Sequence, residues 1–145
     1  MGLLKKIAFA LFMSSAMVVT APVAMAAGKQ ANQTKEELVV ALDDTVTVAE
    51  DALKGIVADT DYKAMMKLFK ITKQTAKTIE STVVLSDRDR ALARVNKARS
   101  AYKKSHKAAA KGNNAEAEAY MTEAVAFMTE AVQRLKDVRT KYHTF

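Results

Sequence analysis

The sequence is poor in the residues that cross-link a chain or that end helices and strands. Its 145 residues include no cysteine, no tryptophan, one proline and four glycines. The lack of cysteine excludes disulfides, thiolate metal sites and covalent haem attachment through a C-x-x-C-H motif. With so little proline and glycine there is little to form the tight turns that separate short strands. These absences favour a small number of long helices.

The N-terminal segment is typical of an export signal. Lys5 and Lys6 precede an apolar run over residues 7–19, and Ala24-Met25-Ala26 is a small-x-small cleavage pattern. We predict that residues 1–26 are a signal peptide cleaved before Ala27, which places the protein in the periplasm. Residues 27–33 would be a flexible leader and 34–145 one domain. The apolar run is too short to cross a bilayer, so we do not expect a membrane-spanning protein.

Two segments with helical periodicity follow the leader. Thr34-Lys35-Glu36-Glu37 fits a capping box at the start of the first helix, and Gly55 is expected to end that helix in the left-handed conformation. Asp59 or Thr60 is the predicted N-cap of the second helix. Its apolar positions then recur at three- and four-residue steps.

The second half of the chain predicts two more helices. Ser86-Asp87-Arg88-Asp89 should start the third, and Lys111-Gly112-Asn113-Asn114 should end it and start the fourth. Four amphipathic helices with short connections pack as antiparallel neighbours. The sequence therefore predicts an all-α, up-down-up-down antiparallel four-helix bundle. The fourth helix carries a heptad stripe at Ala117, Met121, Ala124, Met128, Ala131, Leu135, Val138, Tyr142 and Phe145.

Charge is unevenly distributed along the chain. Residues 61–111 contain 14 basic and 4 acidic side chains, whereas the rest of the mature chain contains 7 basic and 12 acidic ones. One interpretation is a solvated basic face on helices 2 and 3, paired in part with acids such as Glu116 and Glu123. The other is a docking face for an acidic protein partner or an anionic envelope component. The predicted partner-binding residues are Lys63, Lys67, Lys70, Lys77, Arg94, Lys97, Lys104, Lys107 and Lys111.

The same charges bear on two other possible partners, nucleic acid and a second copy of the chain. Nucleic acid is not expected, because few aromatic residues lie among the basic ones. Self-association through the oppositely charged faces is a third possibility for this surface.

The usual catalytic constellations are missing, and we do not expect an enzyme. The two histidines, His106 and His143, should lie roughly 36 Å apart along antiparallel helices, too far to share a metal. Met65, His106 and Met121 fall in one layer of the predicted bundle, and thioether with imidazole suits copper(I) or a haem iron. The alternative, which we favour, makes both methionines core residues and directs His106 to solvent among neighbouring lysines.

The last helix resembles a known family. Residues 135–143, with the pattern L-K-x-x-R-x-x-Y-H, are similar to the C-terminus of the soluble periplasmic cytochrome b-562 family of haem-binding four-helix bundles. The resemblance implies that His143 is an axial ligand of haem b. The family's methionine ligand would fall near Val39, and the first helix has no methionine.

A second resemblance involves residues 111–114 and 119–128. They are similar to the repeats of small periplasmic metal-binding proteins, although tyrosine, methionine, phenylalanine and lysine occupy the positions where that family has histidine. The sequence thus favours an exported interaction protein without a cofactor. A bundle that binds haem or a metal is the alternative.

Overall fold

The fold is a bundle of four helices. The computed structural model describes residues 33–58 and 60–143. Its helices are α1 (Lys35–Val57), α2 (Tyr62–Ala76), α3 (Leu85–Ala110) and α4 (Asn114–His143). Each helix packs against the next one in the chain, and α4 packs back against α1. The predicted all-α, up-down-up-down arrangement is confirmed, whereas the predicted signal peptide lies outside the described residues.

The core follows the predicted apolar stripes. In α4 the heptad positions Ala124, Met128, Ala131 and Leu135 are buried, and Met121 packs at the edge of the core. Phe145, the last position of the predicted heptad, lies outside the described residues. Full burial of a large apolar side chain contributes about 1.5–3 kcal/mol each. Within the described ranges, no helix is both long and apolar enough to cross a membrane.

The capping box at the start of α1 is confirmed. Thr34 Oγ1 accepts from the backbone N–H of Glu37 at 3.1 Å, and the Glu37 carboxylate accepts from the Thr34 N–H at 2.9 Å. Two N–H groups of the first turn thus gain partners. The predicted flexible leader ends in an ordered residue, because the Gln33 side chain bonds to the α2–α3 connection. It donates to Thr78 O at 2.7 Å and accepts from the N–H groups of Glu80 and Ser81, each at 3.0 Å.

The predicted role of Gly55 is wrong. It lies inside α1, is buried, and does not take the left-handed conformation. A Cβ at this position would lie 2.6 Å from Met65 Sδ and 3.0 Å from Leu68 Cδ1. Gly55 therefore permits the close approach of α2 to α1, a packing role that spacing near a helix end does not distinguish from capping.

The starts of α2 and α3 differ from the predictions by one or two residues. Asp61 caps α2 in place of the predicted Thr60, by accepting from the Ala64 N–H at 3.4 Å, whereas Asp59 lies outside the described residues. The third helix starts at Leu85, after a Val84 that has no side-chain cap bond and is fully buried. The start of α3 thus lies at a residue packed into the core and has no side-chain cap of the kind that the sequence predicts.

The α3–α4 turn has the geometry that its sequence predicts. Gly112 has a φ of 79°, the left-handed region, and its N–H donates to Ala109 O at 3.0 Å. The N–H of Asn113 reaches Ala108 O at 2.9 Å. This pair of bonds is a Schellman motif, which satisfies carbonyls at the end of α3.

Replacing Gly112 tests this turn. The Gly112→Ala variant should lose about 1 kcal/mol of unfolding free energy, or roughly 4 °C in Tm, because a Cβ disfavours positive φ. Gly112→Asn is the matched control, since asparagine tolerates this conformation better. Thermal unfolding followed by circular dichroism measures both. Equal Tm values for the Ala variant and the unmodified protein would contradict the assignment.

Replacing Gln33 tests the attachment of the residue before the capping box. Gln33→Ala leaves two N–H groups and one carbonyl without their partner, so we expect a loss of about 1–2 kcal/mol in urea unfolding. The control is Gln74→Ala on the exposed surface of α2. A control of this kind should change stability by less than about 0.5 kcal/mol. Equal effects of the two variants would show that the Gln33 bonds contribute nothing.

Candidate functional site

An aromatic cluster joins α2 to α3. The rings of Tyr62 and Tyr102 stack with centroids 5.9 Å apart and planes 13° apart, and Phe69 lies 5.9 Å from Tyr102. His106 lies 4.7 Å from the Tyr62 ring and 4.9 Å from the Tyr102 ring. Such pairs add about 0.5–1.5 kcal/mol each beyond the area they bury. The cluster fixes the register of the two helices.

Tyr102 also makes the hydrogen bonds of this cluster. Its buried hydroxyl donates to the carbonyl of Thr60 at 3.1 Å, just before α2. The hydroxyl lies 3.2 Å from His106 Nε2. Because its one hydrogen is used, Tyr102 accepts from His106 Nε2, which assigns the tautomer from the network. We expected the His106 ring to point to solvent, but it packs against Tyr62 and Tyr102.

The charges that follow this cluster along α2 and α3 have one sign, whereas Asp61, the N-cap of α2, lies just before it. No acidic residue occurs between Tyr62 and Ala76 or between Arg90 and Ala110, so these stretches of α2 and α3 cannot form ion pairs with each other. Lys63, Lys70 and Lys77 are exposed along α2 and its C-cap at seven-residue spacing, and we call them the α2 row.

The α3 side of the same junction is basic as well. Arg99 lies seven residues before His106, and Lys103 lies three residues before His106. These spacings place Arg99 and Lys103 on the same side of α3 as His106, near the edge that faces α2. Lys107 is exposed beside His106. We call the α2 row with Arg99, Lys103 and Lys107 the basic seam. None of its six members has a salt bridge among the described residues.

The contacts of α4 with its neighbours are charge-compensated. Between α1 and α4, Lys136 Nζ lies 3.7 Å from Glu50 Oε1, and Arg139 Nε lies 3.9 Å from Asp43 Oδ1. Between α3 and α4, Arg94 Nε lies 2.8 Å from Glu130 Oε1. The basic seam differs from both, because opposite charges do not meet across it.

The predicted basic residues of α3 divide between two sides of that helix. Lys97 Nζ lies 5.7 Å from the ring centre of Phe127, and Lys104 Nζ lies 5.7 Å from that of Tyr120. Both rings belong to α4, as does the partner of Arg94, so these three side chains lie on the α4 side. Lys97, Lys104 and Lys111 are exposed at seven-residue spacing, and we call them the α3 row.

The remaining predicted residues lie nearer to the seam. The whole α2 row and Lys107 are among its members, and Lys67 is exposed on α2. Arg99 and Lys103 are not among the binding residues predicted from the sequence. Their spacing from His106 could have placed them, had the side of His106 been known.

The α3 row has acidic neighbours that the α2 row lacks. Glu130 contacts Arg94 across the α3–α4 junction. The other acids of that edge lie at seven-residue steps along α4, which is about two helical turns. They are Glu116, Glu123 and Asp137. Their negative charge offsets the positive charge of the α3 row.

His143 lies at the other end of the bundle. Its Nε2 is 3.0 Å from Asp43 Oδ1, and its side chain is 47% exposed. A haem iron would need a ring nitrogen directed into a pocket, whereas the Nε2 of His143 contacts a carboxylate. Val39, near the second ligand position of the family, offers no donor atom. The side chains as placed do not fit a haem, and axial ligation by His143 stays a prediction from the resemblance.

The three residues of the predicted metal site pack against different neighbours and do not form one ligand set. Met65 is fully buried with its sulfur against Gly55, His106 packs with tyrosines, and Met121 lies at the core edge on α4. In the described part of the chain, no group of three or more His, Cys, Asp or Glu side chains could hold a metal ion. The copper hypothesis stays a prediction without a gathered ligand set.

Comparisons with known proteins add no family. No family model, no curated protein and no solved structure matches the chain.

The surroundings of Asp44 on α1 shift the pKa of its carboxyl, and this shift makes stability depend on pH. Partial burial raises the pKa of the Asp44 carboxyl above its ordinary value, and the adjacent Asp43 charge raises it further. The folded state thus binds this proton more tightly than the unfolded state does. Stability therefore falls as pH rises from the ordinary carboxyl pKa through the raised one, and the loss persists at neutral pH.

The Asp44→Asn variant should remove this penalty. We expect it to be more stable than the unmodified protein near pH 7, on the order of a few tenths of a kcal/mol because solvent screens the site. The difference should shrink as pH falls and vanish well below the ordinary carboxyl pKa of about 3.9, where the carboxyl is protonated in both states. Urea unfolding across pH measures it, with Glu118→Gln on the exposed surface of α4 as control. A gain that does not depend on pH would contradict the assigned cause.

Proposed function

We propose that the protein is an exported, non-enzymatic binding protein of the periplasm that docks an anionic partner through the basic seam. The observation that carries the proposal is a set of six cations along two adjacent helices, without an ion-pair partner among the described residues. The N-terminal pattern of Lys5, Lys6 and the Ala24-Met25-Ala26 site supports export.

Among the described residues, the α2–α3 junction lacks the ion pairs that link α4 to α1 and α3. This contrast supports a binding role for the basic seam over the alternative of a merely solvated face. Two unit charges about 10 Å apart in water repel by about 0.4 kcal/mol, and salt reduces this further. The repulsion is therefore tolerable, but it does not favour folding. Elsewhere the same chain places carboxylates opposite its cations, as Glu130 does for Arg94. An anion lying on the seam would be attracted by both helices at once.

The rings near the seam do not suggest a nucleic-acid site. Non-specific binding of single strands relies on exposed aromatic faces that stack with bases. In this bundle Tyr62, Tyr102 and His106 pack against one another, and Tyr102 is buried. Recognition at the seam would thus rest on charge, and it should weaken as salt increases.

Two lysine rows of equal charge and spacing provide the test. In one variant Lys63, Lys70 and Lys77 become Glu, and in the control Lys97, Lys104 and Lys111 become Glu. Each variant changes the net charge by the same amount at exposed positions. On immobilised dextran sulfate, the α2-row variant should bind about tenfold more weakly than the control at moderate salt, which is about 1.4 kcal/mol.

Two outcomes would contradict the proposal. Equal weakening of the two variants would show that only net charge matters, and unchanged retention of the α2-row variant would remove the seam as the site. Circular dichroism and Tm confirm that both variants fold. Sedimentation of the unmodified protein at low and high salt tests the separate possibility of self-association.

A further inference from the structure

We infer that the occupant of the basic seam is a flexible linear polyanion that lies parallel to α2 and α3. This inference rests on the proposed function and specifies the partner. Three properties of the seam carry it: the linear arrangement of its charges, the lack of an exposed apolar anchor, and the predominance of lysine over arginine.

The charges of the seam are arranged in lines. Seven residues of helix correspond to about 10.5 Å, so the α2 row from Lys63 to Lys77 spans roughly 21 Å along the axis. The aromatic contacts set Tyr62 level with His106, and Phe69 level with Tyr102. The α3 cations therefore run alongside the α2 row in the opposite chain direction. The α3 cations from Arg99 to Lys107 span roughly 12 Å and lie beside the part of the row that contains Lys63 and Lys70. A strand of regularly spaced negative charges would meet cations of both helices there, and cations of α2 alone towards Lys77.

Among the described residues, the seam has no exposed large apolar side chain to anchor a folded protein or to enter a lipid surface, and the nearby Tyr62 and Met66 are half-buried and pack on the core. The large apolar residues exposed in the described ranges are Val40 and Val57 on α1 and Val83 before α3. Protein interfaces draw most of their affinity from buried aromatic or arginine anchors. Interfacial helices bind membranes through an apolar face. A seam made of cations without such residues favours a partner held by charge alone.

Five of the six cations of the seam are lysines, and Arg99 is the exception. Arginine presents a planar fork that selects carboxylates in a fixed geometry, whereas lysine is a hydrated point charge on a flexible stem. Lysines thus tolerate many positions of an anionic group. This tolerance suits a chain that shifts along the seam better than it suits a rigid acidic surface.

The experiment compares linear polyphosphate of several tens of units with tripolyphosphate, at equal total phosphate concentration. Isothermal titration calorimetry with the mature protein should show the long chain binding at least about tenfold more tightly per phosphate, because linked groups bind at high effective concentration. With six contacts, the slope of log K against log salt should be on the order of −4, taking the coefficient for single strands.

The two lysine-row variants serve as matched controls. Reversal of the α2 row should reduce the magnitude of the salt slope by roughly 2, the share of three contacts, and should abolish the preference for the long chain. Reversal of the α3 row should leave that preference in place. Loss of the preference in both variants would overturn the assignment to the seam.

Vesicles containing phosphatidylglycerol separate this inference from the proposed function. If they bind more tightly than polyphosphate and depend on the α2 row, or if tripolyphosphate binds as well as the long chain, the linear polyanion is overturned and the docking function stands. If neither polyphosphate nor vesicles nor dextran sulfate bind in a salt-dependent way, both proposals fail.

Discussion

The packing of Tyr102 is the interaction on which the basic side of the bundle depends. Its ring lies in the core against Phe69 and Tyr62, and its hydroxyl reaches back to the backbone of Thr60. Apolar burial and a hydrogen bond thus hold α2 on α3 where charge can only separate them. The helices are joined by contacts that salt does not weaken, and their surface charges remain available to solvent.

The bundle joins its helices by different means at different junctions. Gly55 lets α1 and α2 approach closely, with Thr72 Oγ1 within 3.4 Å of Val48 O. Ion pairs such as Lys136 with Glu50 link α4 to α1. Aromatic rings and backbone acceptors join α2 to α3. Exposed ion pairs contribute little to stability, so the apolar core dominates everywhere, and the polar contacts mainly determine which charges are neutralised.

The architecture was predictable because it depends on patterns within short stretches of chain. A capping box needs Thr34 and Glu37 at a fixed spacing, and a helix end with Gly112 needs only a residue that tolerates positive φ. The heptad of α4 likewise shows its buried face without reference to other helices. Each of these predictions is confirmed because no distant residue takes part in it.

The candidate site was only partly predictable, because its arrangement depends on contacts between distant residues. The sequence places Lys97 and Lys104 on α3 near the lysines of α2, but the rings that attract them, Phe127 and Tyr120, lie on α4. The side on which His106 lies is decided by Tyr62, 44 positions earlier in the chain. Spacing within one helix cannot reveal such partners, and for the same reason Arg99 and Lys103 were missed.

The like charges on either side of the α2–α3 junction have a thermodynamic consequence. The repulsion between Lys63 and the cations of α3 opposes the packing of the two helices, and a bound anion would relieve it. Anion binding and the stability of this helix pair are then thermodynamically linked. Any ligand that binds the folded seam more tightly than the unfolded chain must raise the unfolding free energy of the protein by the corresponding amount. By the same reciprocity, a substitution that loosens the Tyr102 cluster would weaken anion binding without touching a single lysine.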